Sequence, residues 1–149
     1  MENPMDCERI RAFRNSHNPF IQRLGIHLEA LRPGYARAVK TVTAEDLNPL
    51  ALPHGGVYFS LADTACGGAM AACGTAAVTV NASFSFLKSA REGEVLTAEA
   101  REIQAGRTLA VLEARVTGGD GTLLALGTFT FRRLEKPLVL AGEDGKEGG

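Results

Sequence analysis

Between residues 55 and 73 the chain carries Val57, Tyr58, Phe59, Leu61, Ala62, Ala65, Cys66, Ala69, Met70, Ala71 and Ala72, which leaves almost no polar face. Apolar positions all round over that length predict a helix buried in a core. Its alanines and glycines predict close approach to whatever covers it. After Gly74 the period changes to two. Val78, Val80, Ala82, Phe84 and Phe86 alternate with Thr79, Asn81, Ser83 and Ser85, as in a strand with two different faces. Three more strands are expected at about 94–104, 107–117 and 122–133. Ala105-Gly106 and Gly118-Gly119-Asp120-Gly121 join them, and both links are too short for a parallel crossover of about a dozen residues.

Upstream, Ile10, Phe13 and Met5 among charged residues predict a short amphipathic helix over 5–15, which Asn18-Pro19 breaks. Strands over 24–31 and 35–43 follow, turning at Arg32-Pro33-Gly34. Residues 44–53 hold Glu45, Asp46, Asn48 and two prolines, and read as an ordered loop. Two strands, one apolar helix and four strands make an α+β chain in which one antiparallel sheet must cover one helix. A curved antiparallel sheet wrapped around one long central helix is the hot-dog fold. Its edge strands need cover, which predicts a homodimer or a dimer-of-dimers tetramer.

The chain has 149 residues, with 16 Lys+Arg against 17 Asp+Glu and no basic run, which argues against nucleic acid as a partner. No stretch of about 18 uninterrupted apolar residues occurs, and Asp63 with four glycines sets the long helix apart from a membrane span. Met1-Glu2-Asn3-Pro4 lacks the basic start of a signal peptide, so a cytoplasmic protein is expected. Three cysteines without a close pair and three histidines without ligand spacing predict neither disulfides nor a metal site. One domain is expected over 1–134, with a flexible polar tail over 135–149.

Candidate chemistry centres on Asp63. A carboxylate on an otherwise apolar helix needs a partner or a task. It occupies the one solvated strip of the helix, or is paired with Arg37 or Arg115 from the sheet, or is a general base or nucleophile with a tuned pKa. His54-Gly55-Gly56 precedes the helix, where outward N–H groups suit an oxyanion or a polarised carbonyl. Gly55 and Asp63 stand eight residues apart, about 12 Å along one helix, so a second chain could be required to bring them together.

Asn48-x5-His54-Gly55-Gly56-x6-Asp63-Thr64-Ala65, followed by a strand bearing Thr79, resembles the PaaI-like hot-dog thioesterases over roughly residues 20–134. The resemblance implies that Asn48 and the Gly55 N–H polarise a thioester carbonyl. It further implies that Asp63 activates water, that Thr79 orients that water, and that His54 shapes the loop or meets the sulfur side. Ala51 stands where the family often has glycine, and Pro49 directly follows Asn48. Gly56, Phe59, Thr64, Gly67 and Phe84 are candidate substrate contacts, with Met70 and Phe86 as further acyl contacts. Lys88, Arg91, Arg107, Arg132 and Arg133 are available cations for coenzyme A phosphates.

The expected activity is therefore hydrolysis of a small aryl or medium-chain acyl-CoA to free acid and coenzyme A, without cofactor or metal and at a dimer interface. A hot-dog dehydratase or hydratase and a non-catalytic acyl-CoA-binding module are the alternatives. Cys66, inside the apolar helix, is expected to be inert.

Overall fold

The computed structural model describes residues 4–140. The chain forms α1 (Pro4–Ser16), α2 (Pro19–Leu24), β1 (His27–Arg32), β2 (Tyr35–Thr41), a 3-10 turn at Ala44–Asp46, and α3 (Gly55–Ala71). Strands β3 (Thr75–Phe86), β4 (Val95–Ala105), β5 (Leu109–Thr117) and β6 (Leu123–Pro137) complete it. The six strands make one antiparallel sheet in the order β1-β2-β4-β5-β6-β3, so β1 and β3 are its edges. The hot-dog architecture expected from the sequence is present.

The sheet can wrap α3 because its inward positions are small. Ala36 and Ala38 on β2, Ala98 and Ala100 on β4, and Ala110 and Ala114 on β5 are all fully buried. Leu28, Leu96, Leu112 and Phe129 fill the space left between them. The closest approach is at Gly68, where a Cβ would lie 2.8 Å from Leu31 Cδ2 and 2.9 Å from Leu28 Cδ2. No helix of the described residues is long and apolar enough to cross a membrane.

The N-terminal segment departs from the expected pattern. Asn18-Pro19 starts a second helix rather than only ending the first. Asn18 Oδ1 accepts the Ile21 N–H at 3.3 Å, Pro19 occupies the first turn, and Gly25 at φ 70° closes it with its N–H on the Gln22 carbonyl. Leu24 is therefore the last residue of α2, and the first strand begins at His27 instead of 24. Helix α1 docks through Asn15, whose side-chain amide exchanges two 2.8 Å hydrogen bonds with the Leu28 backbone as a neighbouring strand would. Ile10 and Phe13 pack against Ala71, Leu138 and Leu140.

At the other end, β6 runs to Pro137 and Leu140 is buried, so the ordered chain extends past the expected boundary at 134. Residues 141–149 of the expected tail lie outside the described residues.

Strands β3 and β6 are pressed together at Gly127, opposite Phe84. A Cβ there would meet the Ser83 carbonyl oxygen at 2.2 Å and Phe84 Cα at 2.8 Å, both backbone atoms that no rotamer change can move. Gly127→Ala is expected to cost about 2–3 kcal/mol, measurable as a lowered urea midpoint. An unchanged midpoint would mean that the two strands separate more easily than this packing implies.

Candidate active site

The loop between β2 and α3 is held by a buried ion pair. Lys40, 4% exposed on β2, places Nζ 2.9 Å from Asp46 Oδ2 and also donates to the Leu24 carbonyl. Asp46 Oδ2 accepts the Thr43 N–H at 2.7 Å, and the Asp46 carbonyl accepts the His54 N–H at 2.8 Å. A charge pair at this depth depends on further hydrogen bonds, which Thr43 donates to Asp46 Oδ2 and the Leu24 carbonyl accepts from Lys40.

Between these anchors Asn48 folds the chain onto itself. Its Oδ1 accepts the N–H groups of Leu50 and Leu52 at 2.9 and 3.2 Å, which leaves Nδ2 as a donor. Ala51 sits at φ 62°, the left-handed conformation that costs a residue with a Cβ roughly 1–2 kcal/mol. That is the position where the resemblance leads one to expect glycine, and here an alanine takes the left-handed conformation. His54 caps α3, with Nδ1 accepting the Gly56 N–H at 2.8 Å. A Cβ on Gly56 would lie 3.0 Å from that nitrogen, so a larger residue there would press on the cap. The Gly55 N–H makes no hydrogen bond and stands at the positive end of the helix.

Asp63 lies two turns further along α3. Thr79 Oγ1 on β3 donates to Asp63 Oδ1 at 2.7 Å. Strict alternation would turn Thr79 away from Phe84, yet both point inward. A bulge between Thr79 and Asn81 reverses the alternation, so that Thr79 pairs opposite Phe131 and Ala82 opposite Phe129. Val78 and Val80 are left outside, 47% and 52% exposed. Bulges near functional sites commonly re-aim one side chain in this way. Burial pushes the Asp63 carboxyl above the usual aspartate range, while the Thr79 hydrogen bond and the Arg14 charge oppose that rise.

Asp63, Thr79, Phe59, Thr64 and Gly67 line one cavity of about 460 Å³ together with Arg14, Phe20 and Phe131. His54 and Gly56 line a neighbouring cavity of about 350 Å³, which shares Phe20 and Ser60 with the first. Phe84 lies behind Phe59, ring centroids 5.6 Å apart, and lines neither cavity. Met70 is buried, and Phe86 covers Gly55 at 3.3 Å from where a Cβ would stand. Asn48 and Gly55 remain at the helix entry, apart from Asp63.

The charge facing Asp63 is Arg14 of α1, and neither of the two arginines expected from the sequence reaches it. Arg37 pairs with Glu29 at 2.7 Å and Arg115 with Glu113 at 3.6 Å, both away from α3. Among the cations considered for phosphates, Arg133 is engaged by Glu102 and the Gly106 carbonyl. Cys66 is fully buried, and burial raises its thiol pKa far out of the reactive range. No cluster of metal-ligating side chains occurs among the described residues. Arg14, Asn18, Phe20 and Ile21 are cavity residues that the sequence reading missed. Asn18-Pro19, read as a helix break, is also a helix-start signature that could have located α2, but nothing in the sequence marked Arg14.

Residues 53–125 match the Thioesterase superfamily. The acyl-coenzyme A thioesterase PaaI of Escherichia coli K12 is 33% identical over 121 residues, covering 78% of this chain and 86% of that protein. The structure of the E. coli PaaI protein from the phenylacetic acid degradation operon superposes with a TM-score of 0.88 at 28% identity, covering 93% of this chain and all of that one. The smu.793 protein of Streptococcus mutans, solved bound to acetyl CoA, gives a TM-score of 0.72 at 30% identity over 74% of this chain and 90% of its own. With this fold, the capped helix entry and a desolvated carboxylate on the central helix, the chain belongs to the PaaI-like hot-dog thioesterases and is a thioester hydrolase.

Proposed function

We propose that this protein hydrolyses acyl-CoA thioesters with a compact aryl or medium-chain acyl group, and that Asp63 activates the attacking water. The observation that carries this reading is the 2.7 Å hydrogen bond from Thr79 to Asp63 at the wall of a 460 Å³ cavity. A carboxylate held above its ordinary pKa is a stronger base than a solvated one, and Thr79 fixes which oxygen remains free for water.

Water adds to the carbonyl carbon as its proton passes to Asp63. The oxyanion is held by the Gly55 N–H and Asn48 Nδ2. The C–S bond then breaks and the sulfur takes the proton, giving free acid and coenzyme A. Chemistry of this kind calls for no cofactor. Capped by its bond to Gly56, His54 keeps the loop in place beside these donors.

Along one helix the Gly55 amide and Asp63 are about 12 Å apart, too far to act on the same carbonyl. A second copy completes the site in this reading. Edge strand β3 exposes Val78 and Val80 at 47% and 52% and leaves its outer backbone edge unpaired, which suits pairing with its own copy. The Asp63 of one protomer then meets the helix entry of its partner.

Four outcomes follow. Asp63→Asn should lower kcat for thiol release from acyl-CoA by roughly 10²–10⁴ with folding retained, and near wild-type turnover would sink the assignment. The acid limb of kcat/KM should lie above the ordinary aspartate range, because activity needs the ionised form and burial raises its pKa. Thr79→Val removes an interaction that favours the ionised form, so it should move that limb to still higher pH, and a limb shifted downward would contradict the hydrogen bond's role. Finally, inactive Asp63→Asn and Asn48→Ala chains, unfolded and refolded together, should regain about a quarter of wild-type activity through mixed dimers with one intact site. No recovery in a mixture shown to contain mixed dimers would place the whole site on one chain.

A further inference from the structure

The groove between α3 and β3 does not end where the Asp63 cavity ends. Beyond it lies a second chamber of about 100 Å³, lined by Met70, Ala71, Thr75, Ala76 and Leu138. The two chambers share three walls, Arg14, Gly67 and Ala77. Ala77 and Gly67 have little or no side chain, so Arg14 is the barrier. It reaches across from α1 and lays its guanidinium on the backbone of α3, with Nη2 3.1 Å from where a Cβ on Gly67 would stand.

Its backbone is fixed from behind. The Asn15–Leu28 backbone pair and the Ile10–Leu140 cluster hold α1 down, and with it the turn from which Arg14 extends. Arg14 is an unusual filler for such a place. Its Nε is shielded from solvent and has no hydrogen-bond partner, and burial lowers its pKa. Of the groups lining its two chambers from α3 and β3, the charged one is Asp63, with no ion-pair contact within 4 Å among the described residues. A leucine or methionine would close the groove without leaving a buried donor unpaired, as Arg14 leaves Nε. An alkyl chain reaching Arg14 meets bulk, and also a charged group that is already half-buried.

We propose that Arg14 is a specificity-determining gate for acyl length, ending the acyl site at Gly67 and keeping longer alkyl chains out of the second chamber. This rests on the thioesterase reading above and adds to it the residue that sets the upper size of the acyl group.

The test is kcat/KM for straight-chain acyl-CoA thioesters from acetyl to dodecanoyl, with the wild-type protein, Arg14→Ala, Arg14→Ser and Arg14→Met. Wild type should rise with length and then fall sharply. Arg14→Ala should move that fall to chains several carbons longer, with about a fourfold gain relative to short chains for each methylene newly buried. Arg14→Ser opens the same path with a polar side chain and serves if the alanine variant folds poorly. Arg14→Met keeps the bulk and should keep the wild-type limit.

An unchanged limit in a folded opening variant overturns the gate. So does an equal shift in Arg14→Met, which would assign the limit to charge alone. A uniform rise in KM at every length, matched by weaker binding of free coenzyme A, would make Arg14 a phosphate ligand and likewise overturn it. Calorimetric binding of the same series to Asp63→Asn chains, with and without Arg14→Ala, reads the length limit without turnover. A length shift there alongside absent hydrolysis in wild type would refute the thioesterase reading while supporting the gate.

Discussion

At Gly68 the backbone of α3 comes within reach of two leucine methyl groups, and that close approach decides the rest of the molecule. A helix with no polar face has to be covered, and one sheet can cover it only by curling with small residues inward. The alanines of β2, β4 and β5 make that curvature possible. The curl also ends somewhere. Along the line where β3 meets α3 the wrapping is incomplete, and there the cavity with Asp63 and Thr79 opens. The site is thus a by-product of how far one sheet can wrap one helix.

Two charges are held inside this frame by opposite means. The Lys40–Asp46 pair is in direct contact and tied to Thr43 and the Leu24 carbonyl, and it fixes the entry of α3 as a structural clamp. Asp63 has one hydrogen bond and a distant cation, so its remaining oxygen stays available. A buried carboxylate in contact with a cation serves the fold, whereas one whose cation stays at a distance leaves chemistry possible.

Much of this was legible in the order of residues. The uninterrupted apolar run over α3, the change of period after Gly74 and the short Gly-rich links carry the fold, because helix and strand periods and hairpin lengths are local properties. Asp63 stood out because a carboxylate on an apolar helix has few innocent explanations. Two things were not legible. The bulge at Val80 reverses the facing of β3, and a single extra residue inside an alternating run leaves no trace in the pattern; it becomes visible only in the register against β6. Arg14 is likewise one of several arginines on a charged helix. Its position depends on how α1 docks through Asn15 and Ile10, a tertiary fact that no spacing encodes.

The raised pKa of Asp63 has a thermodynamic face as well. The folded protein binds this proton more tightly than the unfolded chain does. Below the unfolded-state pKa both forms are protonated, and the contribution to folding is fully present. As pH climbs from there through the higher folded-state value, the unfolded chain ionises first and stability declines; above it the contribution is gone. Near neutrality the ionised carboxylate therefore works against the native state, and a chain shaped for thermal endurance alone would discard it.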